Sequence, residues 1–119
     1  MAALAWNGLR QRVTIPSGAT ASEPFSTPPK MFGFTVHVGA LDGVSPTLKL
    51  QALDPTDLTT WRDLFGMTST GVVSSSPLTV NPNTATGISA ALTGCGVFRW
   101  VASAAQNQDR VISMFFGMR

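Results

Sequence analysis

The stretch "MFGFTVHVGALDGVSPTLKLQAL", residues 31–53, holds two apolar–polar alternations separated by a turn. The first, 31–38, places Phe32, Phe34, Val36 and Val38 on one face and Gly33, Thr35 and His37 on the other, the period of a half-buried strand. The second, 47–53, repeats the pattern with Leu48, Leu50 and Ala52 inward and Thr47, Lys49 and Gln51 outward. Asp42-Gly43 between them is a hairpin signal, because such pairs tolerate the positive φ of a tight turn. The segment therefore predicts an antiparallel hairpin.

Strand signals continue on both sides. "QRVTI" (11–15) ends at Pro16, and "PLTV" (77–80) ends at the turn-rich "NPNTATG". "GVFRWVAS" (96–103) alternates Val97, Arg99 and Val101 against Phe98, Trp100 and Ala102, which assigns Trp100 to the core. "RVISMFFGM" (110–118) sets Ile112, Met114, Phe116 and Met118 against Val111, Ser113 and Phe115. Both of its faces are apolar, so it is expected to be central or covered. "AAQNQD" before it reads as a polar hairpin loop, and "ATASEPFSTPPK" (19–30) as a Pro/Ser/Thr-rich loop.

Two segments are candidate helical turns. In "TDLTTWRDLF" (56–65), Thr56 or Asp57 can cap and Leu58, Trp61, Leu64 and Phe65 recur at helical spacing; "ATGISAALTG" (85–94) is as short. Strands broken by Gly, Pro and Asn, without regular helix alternation, predict an all-β, single-domain antiparallel β-sandwich, jelly-roll or immunoglobulin-like, with at most one or two short helical turns.

At 119 residues the chain is one domain, able to fold without disulfides or metal. Cys95, its single cysteine, reads as a small buried apolar residue. Only 12 % of residues are charged, against about 25 % in an ordinary soluble domain. Ser and Thr, 25 residues together, supply the polarity. Mean hydropathy is +0.19, yet no apolar run approaches the ~18 residues of a membrane helix. A surface this poor in charge suits a chain that spends its life against neighbours. The net charge of +2 is spread over scattered arginines, with no phosphate-binding stripe. Arg10 and Arg12 would share one strand face, as solvated surface. The N-terminus has no basic start and too short an apolar run for a signal peptide, so cytoplasmic synthesis is expected.

The inventory for catalysis is thin. His37 is the sole histidine, which excludes a His cluster for metal, and it sits mid-strand on the polar side. No phosphate loop, dinucleotide fingerprint or nucleophile elbow is present, and "TGCG" at Cys95 lacks a local base. Asp54 and Asp57 could hold calcium with carbonyl oxygens, but Asp-Pro starts turns whose carboxylates cap backbone amides. Asp57 and Asp63 as a glycosidase pair have no further support. The expectation is no catalytic residue, metal or cofactor. Trp61 is expected to cover one end of the sandwich beside Leu53. Residues 1–10, containing "MAALAW", are expected to be an apolar docking arm ahead of a sandwich at 11–119. Leu4, Trp6, Leu9 and Phe25 are its expected partner contacts.

"SPTLKLQ" (45–51), an Asp-containing loop, "TTWRDLF" (59–65), then "FRWVAS" (98–103) and "RVISMFFG" (110–117) together resemble small β-sandwich proteins of tailed bacteriophage virions. There a "SPTL-x-V-x-Q" strand leads through "S-x-DG-x-TW-x-D", and a late "R-x-RW" strand precedes a polar loop and a terminal strand. The likeness spans roughly residues 31–65 and 96–118; here the loop reads "DPTDLTTW" in place of the DG turn. Such proteins serve as capsid decoration (cement) subunits, head fibres, or tail and baseplate components. The resemblance implies a virion protein; among its roles, a single compact domain of this size without a fibre-like coiled coil suits a decoration subunit bound across joints of the major capsid protein, often as a homotrimer. A tail or baseplate component and a carbohydrate-binding module for a surface glycan are the alternatives; neither nucleic acid nor membrane is an expected partner.

Overall fold

The computed structural model describes residues 8–67, 73–89 and 96–118. These form eleven strands: β1 (Gly8–Ile15), β2 (Phe25–Ser26), β3 (Met31–Val38), β4 (Leu48–Leu53), β5 (Trp61–Asp63), β6 (Phe65–Met67), β7 (Val73–Pro77), β8 (Thr79–Val80), β9 (Thr84–Ser89), β10 (Val97–Ala102) and β11 (Arg110–Met118). Two antiparallel sheets carry the fold. The first has the order β1-β11-β3-β9; the second runs β2-β10-β4-β5, with β8 also on β4. β6 and β7 make a separate two-stranded ribbon.

The pairing follows one rule. β1 pairs with β11, β2 with β10, β3 with β9, and β4 with β8 and β5. The chain is thus a long double strand, folded near residue 64 and rolled so that successive pairs fall in alternate sheets. That is the jelly-roll member of the expected sandwich class. β11 is interior to its sheet, as its two apolar faces required.

The rolled topology overturns the local hairpin at Asp42-Gly43. β3 and β4 lie in different sheets, so residues 39–47 cross the sandwich. Gly43 does take a positive φ of 125°, but it turns a crossing. "AAQNQD" is likewise a crossing from β10 to β11. The Pro/Ser/Thr-rich segment is more than a loop: Ala21 bridges Val101 and β2 lies on β10, so it edges the second sheet.

Neither helical candidate is a helix among the described residues: the first is a turn followed by strand, and the second is strand where described. Leu58 has a φ of 58°, which no α-helix tolerates, and Trp61–Asp63 pairs with β4. Thr84–Ser89 pairs along β3. In each case cross-strand pairing outcompetes a helix too short to be stable alone.

The core lies between the sheets. Val13, Ile15, Phe34, Val36, Ile112, Met114 and Phe116 face Leu48, Leu50, Val80, Phe98 and Trp100, all at most 4 % exposed. Trp100 is fully buried as expected, and its indole Nε1 donates to Met114 Sδ of the opposite sheet at 3.4 Å. Phe25 stacks over Trp100 with ring centroids 6.4 Å apart. At roughly 1.5–3 kcal/mol per large apolar side chain, this layer outweighs the three described ion pairs, Lys49–Asp63, Arg62–Asp54 and Arg110–Asp42. Such surface pairs contribute at most about 1 kcal/mol each.

One polar knot closes the end where the crossings meet. Gln106 is 2 % exposed. Its Oε1 accepts from the Asp42 amide at 2.9 Å, and its Nε2 donates to the Ala104 carbonyl at 2.8 Å. Its backbone accepts from Gly18 and donates to Ala19, tying in the segment after β1. Asp42 accepts from the Asn107 amide at 2.6 Å and from Arg110 Nη2 at 3.1 Å. The Asn107 bond is the main reason its carboxyl is held below the ordinary value.

Gln106→Ala should lower the stability to chemical denaturation by about 2–4 kcal/mol, because buried groups lose their partners. Asn107→Ala, exposed and retaining its amide bond to Asp42, should change it by less than about 0.5 kcal/mol.

Candidate interaction surface

The expected contact residues fare unevenly. Leu4 and Trp6 lie outside the described residues, as do Cys95 and the Met118 side chain. The first sheet already begins at Gly8, opposite Gly117, so residues 8–10 of the expected arm belong to β1. Leu9, half exposed, lies on that edge strand opposite Phe116. Phe25 is a correction: at 3 % exposure it packs on Phe98 and Trp100 and has no face to offer a partner.

The acidic loop is built from capping bonds. Asp54 Oδ1 accepts from the Thr56 amide at 2.8 Å, while its Oδ2 takes Arg62 Nε at 3.1 Å. Asp57 Oδ1 accepts from the amides of Thr59 and Thr60, and its Oδ2 from the Thr60 hydroxyl. The Thr60 hydroxyl, then the two amides, hold the Asp57 carboxyl down to about 2. Donors fill these oxygens, as the turn-capping reading required. Asp63 belongs to a different network, on the second sheet. Among the described residues no group of three or more His, Cys, Asp or Glu side chains could hold a metal ion.

The two outer sheet faces differ in kind. On the second sheet the outward residues satisfy one another. Arg99 Nε donates to Gln51 Oε1 at 2.9 Å, Gln51 Nε2 donates to Asp63 Oδ1 at 2.9 Å, and Lys49 pairs with Asp63 at 3.1 Å. The Gln51 bond, then Lys49, lowers the Asp63 carboxyl. Arg99 also lies over the Trp61 ring, 4.6 Å from its centroid. Trp61 does stand beside Leu53, but on this outer face, since the two are cross-strand partners. Ion pair, amide and cation–π contact leave little to recruit a ligand.

The first sheet presents cross-strand rows fixed by register. Gly8, Gly117 and Gly33 form one row, Arg10, Phe115, Thr35 and Gly87 the next, and Arg12, Ser113, His37 and Ala85 the third. Arg10, Arg12, Thr35 and His37 are exposed. Two shallow depressions of about 360 and 330 Å³ meet at Thr35 and Phe115. The first is lined by Phe32, Gly33, Gly87 and Gly117, the second by Arg10, Arg12, His37 and Ser113.

Phe32 gives this face its shape. Alternation placed it inward with Phe34, yet it is 54 % exposed. The register slips here: Gly117 opposes Gly33 while Met118 opposes Met31, which leaves Phe32 as the extra residue of a bulge. Its ring folds over Gly117, where any Cβ would collide with it. A glycine beside it in the strand, Gly33, was the available sign of a bulge. The row of glycines becomes visible only when the register is known.

The molecule is thus a jelly-roll sandwich with one internally satisfied and one apolar-and-basic outer face. No protein-family model matches the chain, and neither does any curated protein. The SPBc2 prophage-derived protein YomS has a similar structure, with a TM-score of 0.53 over 97 % of this chain and 98 % of that one at 18 % identity. At that identity the likeness is one of fold, and the fold is one found in a prophage protein. No helix of the described residues is long and apolar enough to cross a membrane.

Because the Asp57 carboxyl titrates below its ordinary 3.8, its support of the loop is complete above that value and is lost as pH falls through about 2. The Thr59 and Thr60 amide resonances should titrate together with that midpoint, and Asp57→Asn should abolish the titration. Gly117→Ala should cost about 1–2 kcal/mol by displacing the Phe32 ring. In a Phe32→Ala background the same change should stabilise by about 0.5–1 kcal/mol, since alanine loses less backbone freedom than glycine on folding; a double-mutant cycle by denaturant melts measures both.

Proposed function

We propose that the chain is a structural, non-enzymatic subunit of a tailed-phage virion. Its role is that of a capsid decoration protein, bound across joints of the major capsid protein and repeated over the shell as a trimer. The observation that carries this reading is the contrast between the two outer faces. One sheet satisfies its own charges, while the other leaves Phe32, Val111, Arg10 and Arg12 exposed. A protein with 12 % charged residues that spends apolar surface on one face gains by covering it. The fold shared with a prophage-derived protein and the resemblance at 45–65 and 98–117 support the virion class, and a small single domain suits decoration within it.

The mechanism is adhesive. Each subunit buries a modest patch over a joint, and the repeated contacts of a symmetric shell add through effective concentration. The engagement of Asp54, Asp57 and Asp63 in turn capping and surface pairing supports a role without acid–base chemistry.

Light scattering of the full chain, alone and with empty phage heads, tests the reading. A trimer that co-sediments with heads is expected. A monomer that ignores heads refutes decoration, and then tail assemblies and a glycan array become the partners to try.

A further inference from the structure

We propose that the outer face of the β1-β11-β3-β9 sheet is a protein-docking surface whose partner presents an apolar centre ringed by carboxylates. The proposal rests on the virion reading for who supplies that partner; the chemistry of the face stands on its own.

The cations of the described residues divide into two groups, and the second, without an ion pair, holds Lys30, in the turn before β3, besides Arg10 and Arg12. Lys49, Arg62 and Arg110 are each paired with an acid, and Arg99 is held by Gln51 and Trp61. Arg10 and Arg12 take part in no ion pair among the described residues, and both are exposed on the same face. Their rows lie about 7 Å apart along β1, with His37 roughly 10 Å across the sheet from Arg12. No Asp or Glu stands in any of the three rows. The three rows therefore carry positive charge with no acid among them, the Glu23 carboxylate lying at the β1 edge against the Thr14 amide, and at physiological salt their field reaches about 8 Å into solvent.

Beside the cations lies the apolar part. The Phe32 ring covers Gly117, and the exposed Gly87 in the same depression carries no side chain, so a partner meets the face of that ring and bare backbone beside it. Val111, 51 % exposed opposite Thr14, extends the apolar surface. An aromatic anchor beside arginines is the composition that protein interfaces enrich.

A second copy of this chain is a poor occupant. All six of its acids already accept hydrogen bonds within the chain: Glu23 from the Thr14 amide, Asp109 from the Ser17 amide, and Asp42, Asp54, Asp57 and Asp63 as described. A phosphate backbone would meet the arginines but leave the glycine and Phe32 area uncovered. A foreign acidic protein surface satisfies both parts.

The test uses the isotope-labelled full chain and two twelve-residue peptides, one with glutamates flanking a central leucine pair and one with glutamines in their place. A twelve-nucleotide single-stranded DNA is the third probe. Amide shifts at Thr35, His37, Ser113 and Gly117 are expected with the glutamate peptide alone. Its affinity should fall at least about tenfold between about 50 and 500 mM salt. Arg10→Glu/Arg12→Glu should abolish the binding, whereas Lys49→Glu/Arg62→Glu, an equal charge change on other surfaces, should preserve it. Equal binding of the glutamine peptide, tighter binding of DNA, or binding that survives the Arg10/Arg12 reversal overturns the proposal. Empty heads separate the two readings. Peptide binding at this face without head binding upholds the face and refutes decoration. Head binding indifferent to Arg10→Glu/Arg12→Glu, with both variants folded by circular dichroism, refutes the face and leaves decoration standing.

Discussion

Every major strand of this protein pairs with one from the other half of the chain, and the structure depends on that constraint. β1 cannot be completed until β11 has been made, and β3 takes its two neighbours, β9 and β11, from beyond residue 83. Such non-local pairing delays the energetic return of each loop closed, so slow folding is the expected kinetic character. The buried knot around Gln106 and Asp42 sits where three crossings meet. It holds the ends of both sheets in register by satisfying backbone groups that the crossings would otherwise bury unpaired.

The energy of the sandwich lies in its apolar layer, and its surface charges do other work. Paired carboxylates cap the Asp54–Thr60 turn or sit in the ladder of Arg99, Gln51, Asp63 and Lys49. These contacts shape loops and neutralise one face. Arg10 and Arg12 shape nothing within the described residues, and their side chains face outward beside the exposed ring of Phe32. Charge that does not stabilise the fold is available for recognition, and this asymmetry is the ground of the docking role we propose.

Strand identity was legible where burial alternates. Trp100 and Phe98 point inward, Arg99 and Val101 outward, and β11 is interior, all as its pattern required. The capping of Asp54 and Asp57 was equally legible, since an Asx turn is a matter of three or four neighbouring residues. Errors came where a local signal admits two long-range outcomes. Asp42-Gly43 makes the same turn in a hairpin as in a crossing between sheets. The spacing of Leu58, Trp61 and Leu64 suits a helix until β4 offers Trp61–Asp63 a ladder.

The sequence by itself determined the class of fold, most residues of the core (Phe25 and Phe32 excepted) and the chemistry of the acidic turn, because each depends on alternation or on neighbours within a few positions. Only the tertiary structure decided which strands pair, and with that everything distributed across them. Gly33, Gly87 and Gly117 are 84 residues apart from first to last, yet they floor one surface. Phe32 faces outward because a bulge against β11 shifts the register by one residue, and a one-residue shift moves a side chain to the opposite face.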